Sequence, residues 1–124
     1  MSLVLIVEDN EKNMKLVRDI LKAKGYETVE AVTGEEGVKL AKEKKPDLVL
    51  MDIQLPGMSG IEAFKQIRAD ARTARIPVIA LTASVTPTDR SQITAAGFDA
   101  FVSKPISLKE FVDTVKRLLE GAKK

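Results

Sequence analysis

Apolar residues in this chain come in short unbroken runs, separated by longer stretches in which they recur at helical spacing. Leu3 to Val7 is a continuous leucine and β-branched run that breaks at Glu8-Asp9-Asn10. A run of that length, closed by polar residues, predicts a strand buried on both faces. Asp9 or Asn10 is placed to cap the helix that follows. From Glu11 to Lys24 the apolar positions Met14, Val17, Ile20 and Leu21 keep helical spacing, and Gly25 stands where such a helix stops. Thr28 to Val32 predicts a short second strand. Thr33-Gly34 then turns into a helix reaching about Lys44, with Val38, Leu40 and Ala41 as its buried positions.

The third strand, Asp47 to Asp52, carries the unbroken run Leu48-Val49-Leu50-Met51 and leads into the turn signal Pro56-Gly57. A helix from about Ser59 to Ala69 follows, with Ile61, Phe64, Ile67 and Arg68 in its repeat. Ile76 to Leu81 predicts the fourth strand, and residues 88 to 96 a weak helix rich in alanine and threonine. Phe98 to Val102 reads as a short fifth strand. The last helix, Ser107 to Glu120, opens on a capping box of Ser107 with Glu110. Strands alternate with helices five times without a long linker, which predicts an α/β fold with a parallel sheet covered by helices on both faces. Right-handed crossovers leave few topologies, and the five-stranded flavodoxin-like (βα)5 order 2-1-3-4-5 is the expected one.

Composition narrows the chemistry. With 124 residues the chain is expected to form one domain, 1–124, that ends close to its last residues. Charge is high but balanced at +2, which favours neither nucleic acid nor an anionic membrane as partner. Cysteine and histidine are both absent, excluding disulfides, thiol nucleophiles, histidine metal sites and Ser-His triads. No apolar run approaches the roughly 18 residues of a membrane span, and the first run lacks the basic flank of a signal peptide. A cytoplasmic location is the expectation.

The strand ends hold the candidate chemistry. In a parallel sheet Glu8 and Asp9, Asp52, Thr82 and Lys104 all arrive at one edge, where open α/β sheets place their ligand crevice. Three carboxylates gathered there repel one another, and a lysine ammonium or a divalent cation would offset the repulsion. Asp52 would then be free to attack an electrophile, as carboxylates do when they form acyl phosphates. Lys104 and Thr82 would meet phosphoryl oxygens as a point charge and a hydroxyl donor. Taken singly these residues have plainer roles: capping acids, a strand-end threonine, a solvated loop lysine. Their joint occurrence at four strand ends is what the plainer roles leave unexplained.

With LIVEDN, MDIQLPGMSG, IPVIALTA and FVSKPIS in this order along its whole length, the chain resembles response-regulator receiver domains of the CheY-like superfamily, among them the single-domain members. The resemblance implies that Asp52 is the phosphorylated residue, with Mg²⁺, or Mn²⁺ as a substitute, in the acidic pocket. Asp9 would be a direct metal ligand, Glu8 would act mainly through water, and the main-chain carbonyl of Gln54 would add another ligand beside Asp52. Thr82 would bond the phosphoryl group in the active form and Lys104 would pair with it. Phe101 matches the aromatic switch position, where many relatives carry tyrosine. Lys104-Pro105 would be a cis peptide, and Gln54 and Ser84 match positions that tune self-dephosphorylation. The domain would be a phosphoacceptor that assists its own phosphorylation and dephosphorylation, not an enzyme acting on other substrates. Its donor would be a phospho-histidine on a sensor kinase or a histidine phosphotransfer protein. Its output would be protein contact through the fourth helix, fifth strand and fifth helix.

Other readings stay open at this stage. The chain could be a receiver from a hybrid histidine kinase, or a constitutive binding module that is never phosphorylated. An aspartyl phosphatase would want a second Asp where Gln54 stands. A flavin mononucleotide binder would want a phosphate loop where the acidic VEDNEKN stretch stands.

Overall fold

The computed structural model describes residues 2–83, 87–104 and 106–122. Along it come β1 (Leu3–Val7), α1 (Glu11–Ala23), β2 (Glu27–Ala31), α2 (Gly34–Lys44), β3 (Leu48–Asp52), α3 (Gly60–Ala69), β4 (Val78–Thr82), α4 (Pro87–Ala96), β5 (Ala100–Ser103) and α5 (Leu108–Ala122). All strand pairs are parallel and the order is β2-β1-β3-β4-β5, the expected flavodoxin-like arrangement.

Why the strands read as unbroken apolar runs is clear from their two faces. Val4, Ile6, Leu48, Leu50, Ile79 and Leu81 pack against Met14, Val17 and Leu21 of α1 and Phe111, Val115 and Leu119 of α5. The alternate positions Leu5, Val7, Val49, Met51 and Val78 pack against Val38 and Ala41 of α2 and Ala63, Phe64 and Ile67 of α3. Period-two alternation therefore buries both sets, and no polar face remains on the central strands. Gly37 lets α2 approach closely: a Cβ there would sit 2.7 Å from Val7 Cγ2.

Local signals set the helix ends. Asn10 caps α1 by accepting Asn13 N at 3.1 Å, Thr33 caps α2 through Glu36 N at 3.1 Å, and Ser59 caps α3 through Glu62 N at 3.2 Å. Gly25 follows the end of α1 at φ +88°, in the left-handed region where glycine carries no Cβ penalty. Lys45 ends α2 at φ +46° ahead of Pro46.

Several strand boundaries differ from the sequence expectation. β2 begins and ends one residue early, so Val32 lies outside it and is exposed. Ile76 is a turn residue before Pro77: its N–H donates to Thr73 O, its carbonyl accepts from Arg68, and β4 starts at Val78. Phe98 is not in β5; its ring stacks on Phe64 with centroids 4.0 Å apart, and Asp99 then turns the chain by accepting Val78 N at 2.7 Å. Phe98 is partly buried against a helix rather than laddered in the sheet. Leu40, expected in the core, is only partly buried at its margin. The weak fourth helix is as expected: among its described side chains only Ile93 is buried.

Candidate functional site

Backbone hydrogen bonds carry the strand pairing just past the strand ends and so aim the residues there. Glu8 N donates to Ala31 O at 3.0 Å, Ile53 N to Leu81 O at 2.9 Å, and Lys104 N to Thr82 O at 2.8 Å. These three bonds seat Glu8, Asp52 and Lys104 along one sheet edge. In register, Asp52 lies opposite Leu81 on β4, and Thr82 is the next residue. Glu8, Asp52 and Thr82 are all buried, whereas Asp9 is exposed at the rim.

Lys104 joins the acids. Its Nζ donates to Glu8 Oε1 at 2.8 Å and to Asp52 Oδ2 at 3.1 Å. The second Asp52 oxygen, Oδ1, accepts Gln54 N at 2.9 Å, which folds the chain back over the strand end. One carboxylate oxygen each from Glu8, Asp9 and Asp52 lies within 4.8 Å of the others. Glu8 Oε2 is buried and has no hydrogen-bond partner among the described residues. An orphaned buried carboxylate oxygen is costly unless something meets it.

The charges respond accordingly. Burial first, and then the adjacent Asp52, push the Glu8 carboxyl up to about 7, with Lys104 opposing. Burial also works against charge on Asp52, but Glu8, the Gln54 amide and Lys104 outweigh it and hold Asp52 below the ordinary carboxylate range. Lys104 stays above its ordinary value because its two carboxylates outweigh burial. Asp52 is therefore held ionised at neutral pH, and Glu8 is the group that would give up a proton to a bound cation. Three oxygens of this hardness, one of them orphaned, suit Mg²⁺.

Gly60 is a part of the site that the sequence analysis did not single out. A Cβ on it would lie 2.1 Å from the Asp52 carbonyl oxygen and 2.7 Å from Ile53 Cα, and its N–H donates to Ile53 O at 3.1 Å. The start of α3 is thus pressed onto the backbone that presents Asp52. A glycine at the first helical position after a Ser cap, where most residues would serve the helix better, was the available signal.

The sequence matches the response regulator receiver domain family over residues 4–116. The chain belongs to this family. The receiver is 50% identical over 119 residues to the polar-differentiation response regulator DivK of Brucella anthropi, covering 96% of this chain and 97% of the relative. The DivK of Brucella ovis matches with the same identity and coverage. Among solved structures, a response regulator from Chloroflexus aurantiacus superposes with TM-score 0.91 at 29% identity, covering 96% of this chain and 98% of the other. The receiver domain of a sensor histidine kinase from Pseudomonas aeruginosa, with a magnesium ion coordinated in its active-site cleft, has TM-score 0.90 at 32% identity over 96% of this chain and 98% of the other. The receiver is thus a two-component signalling domain of DivK-like type, and receiver domains bind Mg²⁺ at the acidic site.

Of the residues singled out, Glu8, Asp9, Asp52 and Lys104 come together, Thr82 adjoins them by register, and Gln54 contributes its N–H while its side chain is exposed. Phe101 lies on β5, half-buried, with the Arg90 guanidinium 4.9 Å from its ring centroid. Ser84 and the Pro105 of the expected cis peptide lie outside the described residues. Among the described residues no helix is long and apolar enough to cross a membrane.

Proposed function

We propose that the receiver takes a phosphoryl group onto Asp52 from a phospho-histidine on a sensor kinase or histidine phosphotransfer protein. The observation that carries this is the pairing at the strand edge: a buried, ionised Asp52 tied to Lys104, beside a Glu8 with an orphaned oxygen. An oxygen of Asp52 attacks phosphorus, an acyl–phosphate bond forms, and the phosphorus–nitrogen bond breaks with its electron pair going to the imidazole. Lys104, already 3.1 Å from Asp52, turns its charge onto the phosphoryl oxygens, and Thr82 offers its hydroxyl. Glu8 and Asp9, with Asp52 and the Gln54 carbonyl, would hold Mg²⁺, with Mn²⁺ as a substitute, which supplies charge neutralisation for the transferred group. Gln54 and Ser84 set how fast water removes the phosphoryl group, a reaction the domain assists on itself.

Phosphorylation adds about −1.5 to −2 charge beside Thr82 and Lys104. Thr82 moves towards that charge and Phe101 turns inward into the space released. The face of α4, β5 and α5 then reports the state to a protein partner. Moving a population from 1:99 to 99:1 takes about 5.5 kcal/mol of differential stabilisation, more than one charge-assisted contact supplies, so the shift is graded. We place the receiver in the cytoplasm and treat 1–124 as one domain.

The test is an amide NMR titration with beryllofluoride, with and without Mg²⁺, on wild type and Asp52→Asn. Shifts at Thr82, Ala83, Phe101 and Val102 that need both Mg²⁺ and Asp52 are expected. No Mg²⁺-dependent change in wild type would leave a constitutive binding module instead.

A further inference from the structure

The contact between α4 and β5 has a role that the acidic site does not account for. Val102 points into the core beneath α1 and α5, so strand alternation sends Phe101 to the opposite face, the one that Ala80 and Thr82 share on β4. Phe101 lies in register with Ala80, so the neighbouring strand places a methyl opposite the ring. Above the ring sits Arg90, its guanidinium 4.9 Å from the centroid, within range of a cation–π attraction. Arg90 stands three residues before Ile93, the buried anchor of α4, and therefore on the same side of the helix. The ring is also the only aromatic group on β5, and as phenylalanine it has no hydroxyl with which to hold an outward position.

We propose that Arg90 is a positioning residue that holds the Phe101 ring in its half-exposed place and so acts as a brake on the conversion of the receiver to its active form. The proposal rests on the reading above that Phe101 turns inward when Asp52 is phosphorylated. Turning inward takes the ring away from the guanidinium, so the attraction operates in one state and not in the other. A ligand or contact that favours one of two states shifts their ratio by its differential strength and nothing else. For an exposed cation–π contact that is about a two- to fivefold change in the ratio of inactive to active forms. A tyrosine at this position could be held outward by its hydroxyl; here the cation takes over that task.

The experiment is a beryllofluoride titration at fixed Mg²⁺, followed by the amide shifts of Thr82 and Val102. It compares wild type, Arg90→Gln, Arg90→Lys, Phe101→Leu and the Arg90→Gln/Phe101→Leu double variant. Arg90→Gln is expected to lower the titration midpoint about two- to fivefold, with Arg90→Lys in between because it keeps a cation. In the Phe101→Leu background the Arg90→Gln change should have no effect on the midpoint, since the ring it acts on is gone. A merely structural role in α4 predicts the opposite: the same midpoint change with or without the ring. That result, or unchanged midpoints in Arg90→Gln, overturns the brake while leaving the switch intact. A wild type that never responds to beryllofluoride with Mg²⁺ overturns the switch reading, and the brake with it.

Discussion

Replacing Lys104 with Met removes the ammonium that joins Glu8 to Asp52 while keeping most of the apolar stem. The two ion pairs it breaks are 2.8 Å and 3.1 Å long, between side chains that are almost wholly buried. Removing one partner of a buried charge pair costs about 3–5 kcal/mol, because the remaining charge is left desolvated. Here there is an outlet: Glu8 is already pushed up to about 7, so without Lys104 it takes up a proton instead of staying charged. Up to about pH 7 Glu8 holds its proton in both proteins; above that the variant, which keeps the proton, falls behind by up to about 1.4 kcal/mol for each pH unit. The variant should therefore lose about 2 kcal/mol at pH 6 and about 3 kcal/mol at pH 8, measured by urea unfolding in EDTA at matched m values. Mg²⁺ sharpens the test. Mg²⁺ at tenfold its dissociation constant adds about 1.4 kcal/mol to wild type. Without the competing ammonium the variant binds the cation more tightly, so its gain should be larger. A loss below about 1 kcal/mol at pH 8, a loss independent of pH, or equal Mg²⁺ gains in the two proteins would refute the reasoning.

Gly60→Ala drives a Cβ into the Asp52 carbonyl, and should cost about 3 kcal/mol or more, or roughly 10 °C in Tm for a chain of this size. Gly57→Ala is the control: with φ +71° but open space around it, only about 1 kcal/mol of backbone strain is expected, and equal losses in the two would show that the close approach is unimportant. Glu8 also makes a pH signature. Its folded value of about 7 exceeds the ordinary 4.5, so the native state holds a proton that the unfolded chain releases between those values. Metal-free stability from this group is full below pH 4.5 and is lost as pH rises through 7; Glu8→Gln should abolish that component. Mg²⁺ affinity runs the other way, weakening as pH falls below 7 because the proton competes for Glu8, and calorimetric titrations at pH 5.5 and 7.5 measure it. Asp52, held below the ordinary carboxylate range, has the reverse sign: its contribution is present above the ordinary carboxylate pKa and is lost only as the solution turns more acidic.

The local pattern of the chain was enough for its elements. Runs such as Leu48 to Met51 are apolar at every position because both faces of a parallel strand are covered, and that requirement is readable without knowing the partners. Gly25 and a cap at Asp9 or Asn10 act within three or four residues of themselves, so these helix ends were also legible, and the structure selects Asn10. Acids at the ends of apolar runs, together with the resemblance, named the site residues. What the chain order could not say is which of those charges touch. Lys104 meets Glu8 across 96 residues and Asp52 across 52, contacts fixed by strand register and by backbone bonds past the strand ends. The same holds for Phe98, apolar enough for a strand but drawn out of it by Phe64, and for Gly60, whose importance is a steric distance to a carbonyl. Arg90 over Phe101 belongs with them. Periodicity reports whether a side chain is buried, because burial repeats with the local helix or strand. Pairing, crowding and shifted protonation depend on what the tertiary fold brings within a few ångströms.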